Sequence, residues 1–368
     1  MSKIRAPYYI IDERRLLHNL ELVQQVRETS GAKSVLALKC FATWGVFDLV
    51  SQYLDGTTSS SLNEARLGHE TFGKETHAYA VAWRADEVAE VATFANKVIF
   101  NSASQLQSLY QLANNCVVGV RVNPGISHSH FDLADPARRF SRLGVTDLAQ
   151  LRECLPLVSG VMFHYNCEND DVASFEKSLD IISERYAEVL HQLEWVSLGG
   201  GVAFTNDDYD LNRFSIALRD FSERFGVQVY LEPGEAVVTQ TAELVTEVLD
   251  VVHNEADIAI VNASIEAHMP DHLLYGTMPR LSRPGPGDHR VIIAGRTCLA
   301  GDSFGDHRIA GPLSVGDEVR IADAAGYTMV KKSWFNGVPM PSIAVRRLDG
   351  SLDVVREFGY DDYKHNLS

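Results

Sequence analysis

Residues 97–122, KVIFNSASQLQSLYQLANNCVVGVRV, decide the reading of the fold. KVIF (97–100) is a short, β-branched apolar run. Residues 103–113 carry a helical pattern, and CVVGVRV (116–122) is apolar again. Strand, helix and strand at this spacing form one turn of a parallel α/β structure. The same grammar extends both ways. SVLALK (34–39), TTSSS (57–61) and HAYAVA (77–82) precede it; GVMFHY (160–165), WVSLGG (195–200) and VQVYLE (227–232) follow. Helical stretches at 63–72, 85–95, 174–193 and 211–225 fall between them. TTSSS is weak on composition, and its place rests on spacing. Eight such units predict an α/β fold, a (β/α)8 TIM-type barrel. A Rossmann fold competes, but no G-x-G-x-x-G opens a helix after an early strand.

After residue 240 the pattern changes. ELVTEVLDVV (243–252), DIAIVNAS (257–264), RVIIAG (290–295), DEVRIAD (317–323) and SIAVRRL (342–348) are separated by turns such as RPGPGD (283–288), with little helix. They predict an antiparallel β-sheet or barrel domain. The division expected is a barrel over 12–240, then a β domain over 241–368 that takes residues 1–11 as an N-terminal strand.

Composition limits the partners. The chain of 368 residues has 33 Lys+Arg against 49 Asp+Glu, a net charge of −16, which speaks against nucleic acid or an anionic membrane and is compatible with a cationic small molecule. The N-terminal MSKIRAPYYIIDERRL breaks into charges before a signal peptide forms, and no apolar run approaches a membrane span. Five scattered cysteines without a C-x-x-C pair read as reduced thiols, so a cytoplasmic location and no metal site are expected.

Barrel chemistry gathers at the carboxyl ends of the strands. There the chain places Lys39, His164, the triplet Gly199-Gly200-Gly201 and Glu232. Lys39 alone would usually reach for solvent; desolvated, its amine suits Schiff-base chemistry. His164 alone is a buried histidine, but above a flat cofactor it can stack on the ring. Glu232 can cap a turn, or pair with the ring nitrogen of pyridoxal 5'-phosphate (PLP) and so hold an electron sink. Bare glycine N–H groups suit a phosphate. In the second part, GRTCLAGD (295–302) sets Cys298, a possible proton donor, beside Asp302, and AAGYTM (324–329) supplies Tyr327.

Taken in order, ALKCF, FHYNCE, LGGG, EPGE, HMPD (268–271), CLAGD (298–302) and the Gly-Tyr…Phe-Asn-Gly tail resemble the fold-type III PLP-dependent decarboxylases, which pair an alanine-racemase-like barrel with a β domain. Within that group they are most similar to the carboxynorspermidine (carboxyspermidine) decarboxylase family. The resemblance runs from about residue 7 to the end. It implies that Lys39 holds PLP covalently, His164 stacks on it, Glu232 meets its ring nitrogen, and Gly199–Gly201 with Tyr327 bind its phosphate. It further implies that Cys298 protonates the substrate carbon and Asp302 holds a substrate amine, both from the partner subunit of a homodimer. Arg142, in SRLG, resembles an arginine near the barrel mouth of relatives and receives no role.

One departure bears on the substrate. Ornithine and diaminopimelate decarboxylases of this group typically carry Arg after the E-P-G turn, where this chain has Glu235. An anion there suits an extra ammonium of a carboxylated polyamine, with Asp271 along the same chain and His268 either lining the pocket or supporting the loop. The expected reaction is therefore decarboxylation of carboxynorspermidine or carboxyspermidine. A diaminopimelate- or ornithine-type decarboxylase is the rival, as is a non-catalytic PLP-binding protein; residues 241–368 argue against the last.

Overall fold

Beyond a first strand, β1 (Tyr8–Asp12), and a helix (Glu13–Ser30), the chain winds through eight parallel strands that close on themselves. They are β2 (Lys33–Ala37), β3 (Gly56–Ser59), β4 (Glu75–Tyr79), β5 (Lys97–Phe100), β6 (Val117–Val122), β7 (Gly160–Phe163), β8 (Trp195–Ser197) and β9 (Gln228–Leu231). Closure comes from β2 and β9, with Lys33 opposite Tyr230 and Ser34 opposite Leu231. The eight runs read from the sequence are these eight strands, and the structure, a computed structural model, describes residues 4–368.

TTSSS is a strand because of packing. All four residues of β3 are buried, and a Cβ on Gly68 of the following helix would fall 2.2 Å from Thr57 Oγ1, so that helix lies flat on the strand. Inside the barrel, Val35, Tyr79, Ile99, Met162, Trp195 and Tyr230 form one core cluster. Trp195 lies over Gly119 and Gly160, where an added Cβ would come within 2.6 and 2.2 Å of the indole. These glycines are what admit a large ring to a small barrel. The outer helices start on side-chain caps from Ser61, Ser102, Asp171 and Asp210, each accepting a backbone N–H.

Two units emerge: His18–Val237, and Met1–Leu17 with Val238–Ser368. The second is built on a nine-stranded sheet. Its strands after β1 are β10 (Ala242–Asn254), β11 (Ala256–Val261), β12 (Leu281–Arg283), β13 (Pro286–Ala294), β14 (Ser303–Ile309), β15 (Glu318–Ala322), β16 (Ser342–Arg346) and β17 (Leu352–Arg356). The main path is β14-β13-β11-β10-β1-β16-β17, with β15 joining β10 to β12. The sheet is mostly antiparallel, as expected, with β1–β16 and β11–β13 as parallel pairs within it. The β1–β16 pair joins strands distant in sequence, a feature that no local pattern records. Residues 1–3 of the expected N-terminal strand lie outside the described residues. Among the described residues no helix is long and apolar enough to cross a membrane.

Candidate active site at the barrel mouth

The turns after β2, β7, β8 and β9 bring four expected residues together. Lys39 sits two residues past β2, in a turn pinned by Cys40 N–H and Phe41 N–H on the Ala37 carbonyl, 3.0 and 3.2 Å. Its Nζ lies 3.0 Å from His164 Nε2. Gly200 N–H donates to His164 Nδ1 at 3.2 Å, so a neutral ring carries its proton on Nε2. That proton points at Lys39, whose nitrogen can accept it only as a free amine. The electrostatics agree. Burial, then the nearby Arg121 guanidinium, lowers Lys39, while burial and the Lys39 and Arg121 charges hold His164 well below the usual histidine range.

Glu232 is buried at the foot of the same pocket, where Ser197 Oγ donates to its Oε1 at 2.6 Å. Burial raises its carboxyl, against the pull of the Ser197 bond, Lys39 and Arg121. With Ala37, Thr58, Ser59, Ser60, Tyr79 and Met162, the side chains of Lys39, Arg121, His164 and Glu232 line one pocket.

The glycine triplet is required by close approach. Gly199 and Gly201 hold φ of +72° and +83°, and a Cβ on Gly200 would fall 2.2 Å from the Glu232 carbonyl oxygen. Sequence reasoning missed Arg121, Tyr79 and Ser197. Arg121 donates to Tyr79 Oη (2.9 Å) and to the His164 carbonyl (3.1 Å), and its Nε is buried without a partner. A signal existed: one arginine inside the apolar run CVVGVRV. Arg142 contributes its backbone, whose carbonyl accepts from Asn101 Nδ2 at 2.8 Å.

A buried amine whose pKa burial lowers, a buried carboxylate, an unpartnered guanidinium nitrogen and a glycine cradle fit PLP. Lys39 could hold its aldehyde carbon, Glu232 its ring nitrogen and the glycine turn its phosphate. Glu235 is exposed and near enough to Cys167 to raise that thiol, after burial has done so.

In the β unit, Cys298 is exposed and its N–H donates to Asn336 Oδ1 at 2.6 Å. Asp302 departs from the expectation of a substrate ligand. Its Oδ1 accepts from Ser264 Oγ (3.0 Å) and Ile265 N–H (2.8 Å), and its Oδ2 from Thr297 N–H (2.9 Å) and Thr297 Oγ1 (2.6 Å). A carboxylate has about four lone-pair sites, and all are taken by the loop it organises. His268 is wholly buried, accepts Ser264 N–H on Nδ1 at 3.2 Å, and burial drops it to about 3. Of the two roles open to it, these contacts favour support of the loop. Asp271 is ion-paired with Lys331, whose ammonium lies 5.1 Å from the centroid of the Tyr327 ring.

Comparison with known proteins identifies the family. The family model described as pyridoxal-dependent decarboxylase, C-terminal sheet domain, matches residues 9–325. The chain is 53% identical to a carboxynorspermidine/carboxyspermidine decarboxylase of Herminiimonas arsenicoxydans, covering 99% of this chain and 100% of that one. It is 36% identical to a carboxyaminopropylagmatine decarboxylase of Synechocystis, covering 100% and 96%. The crystal structure of carboxynorspermidine decarboxylase from Campylobacter jejuni complexed with norspermidine is similar at TM-score 0.91 and 35% identity, over 99% and 100% of the two chains. The chain belongs to the pyridoxal-dependent decarboxylases, in the carboxynorspermidine/carboxyspermidine decarboxylase family.

Proposed function

We propose that this protein decarboxylates carboxynorspermidine or carboxyspermidine to norspermidine or spermidine with release of CO2. The full-length 53% identity to a relative of that name carries the reading. Bound PLP supplies an electron sink for the charge left when CO2 departs. Lys39, desolvated and in contact with a neutral His164, offers a free amine to hold the cofactor and to take up or release a proton at Nζ. His164 presents an uncharged ring face. Glu232, fixed by Ser197, keeps a proton on the ring nitrogen, because a buried carboxylate is best satisfied by a partnered cation. Gly199–Gly201 seat the phosphate. Glu235, which is exposed, provides negative charge for an ammonium of the substrate chain, and Asp271 provides it by exchanging its Lys331 partner for the substrate.

The active enzyme in this reading is a homodimer, in which Cys298 of one copy hands a proton to the substrate carbon in the barrel of the other. The surroundings of Cys298 support it: Leu299 and Phe335 are each 38% exposed, apolar surface of the kind a second copy covers.

The test is CO2 release with carboxynorspermidine, carboxyspermidine, carboxyaminopropylagmatine and diaminopimelate. The two carboxylated triamines should be turned over with the highest kcat/KM, and Lys39→Ala should abolish turnover. Preference for diaminopimelate would refute the proposal. Cys298→Ala mixed with Lys39→Ala should regain activity through hybrid dimers; no recovery would remove the shared site.

A further inference from the structure

Asp302 leaves a vacancy in the expected substrate contacts. Its four hydrogen bonds tie Ser264, Ile265 and Thr297 together, and Thr297 precedes Cys298. The residue after Ile265 is Glu266, on the short helical turn Ile265–His268. One oxygen of Glu266, Oε2, is buried with no hydrogen-bond partner, while the rest of the side chain reaches the surface. Among the described residues no basic side chain pairs with Glu266 or Asp302. Burial, then the Asp302 charge, raises the Glu266 carboxyl.

A buried carboxylate oxygen without a donor is costly, and a second anion beside it adds to the cost. Its neighbour Asp302 takes four local donors, and Glu266 Oε2 is left without one. The group that would do so is a cation with several N–H donors, and an ammonium fits. We propose that Glu266, next to Ile265 and so tied through Asp302 to the loop that carries Cys298, receives an ammonium of the polyamine substrate, the role expected of Asp302. Asp302 then positions the loop, and Glu266 reads the substrate. The assignment rests on the decarboxylase reading above and on the second copy bringing this face to the barrel.

Its test uses PLP-loaded Glu266→Gln and Glu266→Ala beside wild type. KM for carboxynorspermidine and Ki for the product norspermidine should each rise on the order of 10- to 100-fold, the worth of a charge-assisted hydrogen bond. kcat should stay within about threefold, and Tm should hold or rise, because an unpaired, partly buried charge has been removed. Unchanged KM and Ki overturn the assignment. So does a fall in kcat or Tm with KM unchanged, which would show that Glu266 serves the fold or the loop. Wild-type enzyme that releases no CO2 from either triamine overturns the reaction itself, and this assignment with it; the two failures are separated by the wild-type arm.

Discussion

Replacing Glu75 with Gln probes the barrel end opposite the reacting groups. Glu75 opens β4 and accepts from Lys33 Nζ on Oε1 (2.6 Å), and from Lys97 Nζ (3.0 Å), His77 Nε2 (3.0 Å) and Tyr230 Oη (3.1 Å) on Oε2. Burial pushes its carboxyl up, but the bonds from His77, Lys33 and Lys97 outweigh that and hold it well below the usual range. The Lys33 side chain is 39% exposed and can turn to water, so its share is under about 1 kcal/mol. Lys97 cannot: its side chain is 8% exposed, held over the Tyr230 and Trp195 rings. Stranding a buried ammonium costs roughly 3–5 kcal/mol. At about 2–4 °C per kcal/mol for a domain of this size, the barrel should melt roughly 6–20 °C lower. Urea unfolding followed by tryptophan fluorescence reads mainly this unit, because three of the four tryptophans, Trp44, Trp83 and Trp195, belong to it and Trp195 touches the cluster. Adding Lys97→Met should restore most of the loss, since the cost lies in the unpaired charge. A shift below about 1 kcal/mol, or a double variant no better than the single, would refute the reasoning. Turnover per bound PLP should not change, because this cluster stabilises and the mouth catalyses.

Three more outcomes follow from the same geometry. His77, lowered by burial to about 4 despite Glu75, stays neutral in the folded barrel while the unfolded chain takes up a proton below its usual 6.5. Barrel stability should therefore fall as pH drops from about 6.5 to 4, with the Glu75 contribution lost below the unfolded carboxylate range; equal urea midpoints at pH 7 and 4.5 would contradict it. Gly200→Ala drives a Cβ against the Glu232 carbonyl, so PLP retained after gel filtration should drop at least tenfold while the far-ultraviolet spectrum is kept. Asp302→Ala leaves four donors without an acceptor; it should lower Tm of the β unit and cut kcat more than it raises KM, whereas a rise in KM alone would restore Asp302 as a substrate ligand.

The barrel was legible in the sequence because its units are local. A β-branched run, a capped helix and the next run can each be read within thirty residues, and strand ends then locate Lys39, His164 and Glu232 without any knowledge of neighbours. The strands at 281–283, 303–309 and 352–356 were not legible, being short or carrying exposed polar residues that break the apolar pattern. What only the tertiary structure decided is which groups are already spent. Asp302 looks like a free carboxylate in CLAGD, and its exhaustion appears only when Ser264 and Ile265, some forty positions away, arrive on it. Arg121 reads as one charge in an apolar strand until the closed barrel sets it against Tyr79 and the His164 carbonyl. Residue types and spacing fix what chemistry a chain can offer. Which lone pairs and protons remain for a substrate depends on contacts between distant segments, and no local pattern encodes those.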